Sequence, residues 1–210
     1  MNRPLDALLA TAALWRARSG VEPAEPGLPT GWPRLDAELP GGGWPLGTLI
    51  ELLLPQAGSG ELQLLLPALG ALTRGPPQTE RRWLAWISPP HAPYAPAFAQ
   101  HGIRPDRLLV ISAERTADRL WAIEEALRSG SCAAVLAWLD AVDDRWLRRL
   151  KLAAETGRGL AVLFRPLRRQ GAASPATLRL VLEPTARGLD LRVLKSRGRG
   201  PARVSDALSV

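Results

Sequence analysis

The chain has 210 residues, 46% of them apolar, which is enough for one domain with a sizeable core and too apolar for a disordered segment. The single cysteine, Cys132, excludes an internal disulfide; with His91 and His101 it forms no spaced ligand set, so neither a metal nor another cofactor is expected. No apolar run reaches the ~18 residues of a membrane span. Asp6, Arg16 and Arg18 interrupt the signal-peptide pattern at the start, so a cytoplasmic chain with no membrane partner is expected.

In chain order, residues 1–18 read as an amphipathic helix. Leu5, Leu8, Leu9, Ala12 and Trp15 share one face, which predicts a docking surface for a partner. Residues 19–29 are dense in Pro and Gly and read as a linker. A core domain over 30–195 and a flexible basic tail over 196–210 follow. Within the core, "GTLIELLL" predicts a strand and "ELQLLLPALGAL" a helix that Pro67 kinks or delays. "RRWLAWIS", "RLLVISA", "CAAVLAWL" and "GLAVLF" predict further strands. Between them lie a short helix at "PYAPAFAQHG", one from Thr116 to Gly130, and one capped at Asp143 or Asp144 and stopped by Gly157. "TLRLVLEP" and "LDLRVLKS" alternate apolar with polar residues and predict an antiparallel hairpin. Strands alternating with helices imply an α/β fold, a mostly parallel sheet flanked by helices.

Charge is unevenly spread. Residues 1–144 carry 12 basic and 16 acidic groups, whereas residues 145–203 carry 15 basic and 3 acidic ones. A basic half suits an acidic partner, nucleic acid or protein. Arg165, Arg168, Arg169, Lys195, Arg197 and Arg199 are the expected contacts, giving at most weak, non-specific DNA binding. The tryptophans suit base stacking, but core or interface is the preferred reading.

The stretch "LLLPQAGSGELQLLLP" places a Gly-rich turn between a strand and a helix. A phosphate loop needs Gly, four residues, Gly, Lys and then Ser or Thr. Here Pro55 stands first, then Gly58, Ser59 and Gly60, with Glu61 for the lysine and Leu62 for the hydroxyl. An acid at that place repels phosphate, so this stretch alone reads as a plain strand-to-helix turn.

The flanks add a resemblance. Thr30-Gly31, Leu35-Asp36, Gly42-Gly43, Pro45, Gly47, Ile50-Glu51 and Ser59-Gly60 resemble the entry to the core of the RecA recombinase family, collinear over roughly residues 28–195. That resemblance implies a RecA-like P-loop core. It also implies lost ATPase positions: Pro90 for the water-polarising acid, Trp138 for the magnesium-binding aspartate and Pro166 for the phosphate-sensing glutamine. "LPTGWPRLDAELPGGGWPLG", "WLAWISPPHAPYAPAFAQHGI" and "EALRSGSCAAVLAWL" resemble the ImuA family, SulA-like accessory proteins of bacterial translesion synthesis. The resemblance implies a non-enzymatic adaptor in the SOS response, with RecA, an ImuB-type inactive polymerase and an error-prone polymerase as partners. The alternatives are an atypical RecA-like ATPase and a SulA-like cell-division inhibitor.

Overall fold

A computed structural model describes residues 25–74 and 82–209, so the expected helix bearing Leu5, Leu8, Leu9, Ala12 and Trp15 lies outside the described residues. The strands are β1 (Thr48–Leu54), β2 (Trp83–Ile87), β3 (Leu108–Ile111), β4 (Cys132–Trp138), β5 (Leu160–Pro166), β6 (Leu178–Thr185), β7 (Gly188–Lys195) and β8 (Ala202–Ser209). The helices are α1 (Pro33–Glu38), α2 (Glu61–Thr73), α3 (Ala95–Gln100), α4 (Thr116–Arg128) and α5 (Asp144–Gly157).

All eight strands form one sheet in the order β3-β2-β4-β5-β1-β6-β7-β8. From β3 to β6 every pairing is parallel, and β7 and β8 then add antiparallel. Apart from Glu51 on β1 and Arg165 on β5, the inner strands are apolar along nearly their whole length because helices cover both faces. On one face Ile50, Leu52, Leu136 and Phe164 pack with Leu64, Leu65 and Leu69 of α2 and Phe98 of α3. On the other, Leu49, Val135 and Leu163 meet Ile123 and Leu127 of α4 and Leu147 and Leu150 of α5.

Local chemistry sets the helix ends. The Asp143 carboxylate accepts the Trp146 N–H and caps α5, and Arg158 ends that helix in the left-handed region. Thr116 opens α4 but makes no side-chain cap. Pro67 neither delays α2 nor ends it, since the helix runs from Glu61 to Thr73. Trp32 Nε1 donates to the Leu64 carbonyl in the turn that Pro67 disturbs. Gly31 is required beside it, because a Cβ there would stand 2.4 Å from the Pro67 ring.

Two expectations about the ends of the core are corrected. The tail from residue 196 is not a free extension: its 202–209 segment is β8, which pairs with β7 through Leu189↔Leu208 and Leu191↔Val204. Val204, Ala207 and Leu208 supply the alternating apolar positions that bury it. The linker, drawn to residue 29, already belongs to the core at Leu28, which exchanges backbone hydrogen bonds with Trp44.

Glu51 sits in the centre of the sheet with 0% exposure, between Arg165 (3%) and Arg179 (7%). Arg165 Nη1 donates to Oε1 at 2.8 Å and Arg179 Nε to Oε2 at 2.8 Å. Arg179 also donates to the carbonyls of Arg169 and Gln170, fixing the turn after β5. Glu51→Gln is expected to cost about 3–5 kcal/mol, because it strands two buried guanidinium groups. The urea midpoint should fall at an unchanged slope, and replacing all three side chains by apolar ones should recover most of the loss.

At the far edge, Asp190 accepts the backbone N–H of Asp206 and a guanidinium N–H of Arg203. These bonds, the backbone one foremost, hold its carboxyl below the ordinary 3.8. Its contribution is therefore present above the unfolded value and lost as pH falls through the lower folded one. Urea midpoints measured downward from about pH 4 should fall, and Asp190→Asn should flatten that part of the profile.

Candidate functional site

β1 delivers the chain to a turn over Pro55–Gly60, and Glu61 begins α2. Gly60 takes φ +90°, in the left-handed region where a side chain is strained, and lets the strand fold sharply into the helix. Ser59 Oγ donates to the Gln56 carbonyl at 2.6 Å. Glu61 Oε1 accepts the Gly58 N–H at 2.9 Å. The backbone donor that a phosphate loop offers to a ligand is thus taken by the chain's own carboxylate. Glu61 is only 3% exposed, and its Oε2 is buried with no hydrogen-bond partner among the described residues.

The ends of β2 and β4 face this turn. Together they enclose a cavity of about 330 Å³ lined by Gly58, Glu61, Leu62, Trp86, Pro90 and Trp138, among others. Trp86 meets Phe98 edge-on at 4.8 Å, and Trp138 stacks on Phe164 at 4.5 Å. Tyr94, 69% exposed, and His91 complete the lining on the side of the loop after β2. Three of the positions singled out from sequence therefore converge: the Gly58–Leu62 turn, Pro90 and Trp138. Pro55 ends up exposed at the start of the turn, and Pro166 is paired with Leu54 at the end of β5, outside the lining.

The expected DNA contacts do not gather. Arg165 is corrected from a phosphate contact to a core residue, because its guanidinium is committed to Glu51. Arg168 and Arg169 both pair with Asp140. Lys195 donates to the Ser174 carbonyl and Arg199 to the Ala37 carbonyl, on different parts of the surface, and Arg197 lies in the exposed turn before β8. Trp44 and Trp86 are core residues, whereas Trp121 on α4 is 63% exposed rather than packed. Burial pushes the Cys132 thiol up from its ordinary value, which keeps it protonated and unreactive at neutral pH. Among the described residues no group of His, Cys, Asp and Glu is arranged to hold a metal ion, and no helix is long and apolar enough to cross a membrane.

The model of the family described as "Cell division inhibitor SulA" matches residues 47–161, more than half of the chain. The chain belongs to the SulA family. A relative from Serratia marcescens named "Cell division inhibitor SulA" is 30% identical over 122 residues, which are 58% of this chain and 70% of that protein. One of the same name from Edwardsiella piscicida is 31% identical over 118 residues, 56% of this chain and 61% of its own length. The solved structure described as "Crystal structure of SulA from Pseudomonas aeruginosa" is 28% identical, spans 56% of this chain and 97% of its own, and superposes with a TM-score of 0.45.

These names overturn the expected translesion adaptor: the relatives of this SulA-family chain are division inhibitors. The reason for the misreading is physical. The Gly-rich turn, Trp86, Pro90 and Trp138 all fall inside the matched segment, where the alternation of strands and helices resembles a recombinase core while the functional label differs. In sequence, "WISPPHAPYAP", which holds Tyr94, reads as a Pro-fixed turn in preference to a ligand loop, and Phe98 falls in "PYAPAFAQHG", read only as a short helix. The signal was the aromatic residue on each side of a proline cluster.

Calorimetry with magnesium-ATP should show no binding heat at micromolar protein. The Glu61 carboxylate occupies the Gly58 N–H and repels phosphate, and Glu61→Ala alone should not create binding because no lysine takes its place.

Proposed function

We propose that this chain inhibits bacterial cell division by binding a protein of the division machinery, without catalysis. The observation that carries the reading is the match of residues 47–161 to the division-inhibitor family. It is supported by the turn at Gly58–Leu62, which is self-satisfied through Glu61 rather than open to a phosphate. A RecA-like origin of the core belongs to the same proposal: a strand–turn–helix scaffold that kept its backbone path while Glu61, Pro90, Trp138 and Pro166 stand where catalysis would need other groups. Placement beside ImuA-type members, resting on the stretch Leu28–Gly47, is proposed as a subgrouping only. Action inside the cytoplasm follows from the target.

A binding inhibitor acts in proportion to its amount, whereas an enzyme acts catalytically. Graded expression in a rod-shaped bacterium should lengthen cells into filaments lacking septa while DNA replication continues. The effect should scale with the amount of the chain, and the destabilised Glu51→Gln variant should weaken it with its loss of folded protein. Cells that divide at normal length while carrying abundant folded chain would overturn the proposal.

A further inference from the structure

We propose that the cavity between the Gly58–Leu62 turn and the ends of β2 and β4 receives a guanidinium group, carried by an arginine side chain of a protein partner. This inference is independent of whether that partner belongs to the division machinery. Its chemistry starts with Glu61, which lines the cavity and is more than nine-tenths buried, yet uses only one carboxylate oxygen. A buried acceptor with no partner is costly, and a donor that reaches Oε2 removes that cost. Among the described residues no lysine or arginine lines the cavity, although the chain carries a net charge of +7. The nearest fixed charge is therefore negative, which excludes phosphates and carboxylates and favours a cation.

The walls narrow the class further. Trp86, Phe98, Trp138 and Tyr94 all line the cavity, and aromatic faces attract cations. A guanidinium is planar, weakly hydrated and stacks on such rings better than an ammonium. At about 330 Å³ the cavity lies at the lower end of the range for ligand sites and has room for an arginine side chain with adjoining backbone. Trp86 Nε1 and Trp138 Nε1 are also buried without partners among the described residues. They need acceptors, which a small ammonium or guanidinium ion lacks and a peptide backbone provides in its carbonyls. That asymmetry assigns the cation to a polypeptide.

The full chain should be titrated with N-acetyl-arginine-methylamide, its citrulline counterpart and agmatine. Binding is read from tryptophan emission and from the indole N–H resonances of Trp86 and Trp138. The arginine compound should bind saturably and shift both indole resonances, with the citrulline compound and agmatine each weaker. Glu61→Gln keeps the size of the side chain and an acceptor for the Gly58 N–H. It should lower arginine affinity by about ten- to a hundredfold with an unchanged circular dichroism spectrum. Trp138→Phe, which keeps an aromatic wall, provides a second variant and should weaken the arginine compound more than agmatine. Equal binding of citrulline, full affinity in a folded Glu61→Gln variant, or no saturable binding of the arginine compound would overturn the guanidinium assignment. Agmatine binding as tightly as the capped arginine would overturn the polypeptide source.

Discussion

Glu51 holds a full negative charge in the middle of the sheet, with a guanidinium on each of the two strands that flank its own. β1 is the only strand among those described that touches both β5 and β6, so this ion triad joins the two halves of the sheet at their seam. Desolvating three charges is expensive, and the arrangement is tolerated only because both carboxylate oxygens and the Arg179 guanidinium find geometric partners. The triad also sets register. Glu51 stands directly opposite Arg179 on β6, and a slip by one residue would turn one of them to the other face of the sheet. The turn after β1 inherits its position from that register.

That turn shows how a backbone shape outlives a chemical use. Two left-handed glycines and a helix start give the turn the backbone path of an anion-binding loop, with the Gly58 N–H as one donor. Glu61 answers it from within the chain. The intramolecular carboxylate has an effective concentration no free ligand matches, so the loop is closed to phosphate by its own first helical residue. The void that remains beside it is accordingly aromatic and acidic, not basic.

Much of the architecture was legible because it rests on periodicity. "CAAVLAW" is wholly apolar and "TLIELLL" is apolar but for Thr48 and Glu51, and both became inner parallel strands, while "LRLVLEPT" and "GLDLRVLK" alternate and became the antiparallel pair. What periodicity does not carry was missed. Arg165 looks like a surface cation in sequence, and only the lateral neighbour of its strand, more than 100 residues earlier in the chain, makes it a core residue. β8 was hidden because "RGRGPARV" has the composition of a loose end, and its pairing depends on the free edge of β7. The cavity was half visible. The Gly-rich turn, Pro90 and Trp138 were each picked out for phosphate chemistry, and their convergence reflects shared topology at the strand ends, whereas the aromatic lining depends on side-chain packing that no linear spacing encodes.

The central place of β1 has a consequence for how the chain is made. Its partner register runs from Thr48 to Leu160 and from Ile50 to Leu178, so the strand is synthesised more than 100 residues before either neighbour exists. At typical elongation rates that interval is on the order of ten seconds. During it a leucine-rich segment and a bare carboxylate wait together on the nascent chain. Glu51 is costly in the finished core, but in this interval it is the one charge inside "TLIELLL", a gatekeeper that lowers the tendency of the strand to pair with another copy of itself before β5 arrives.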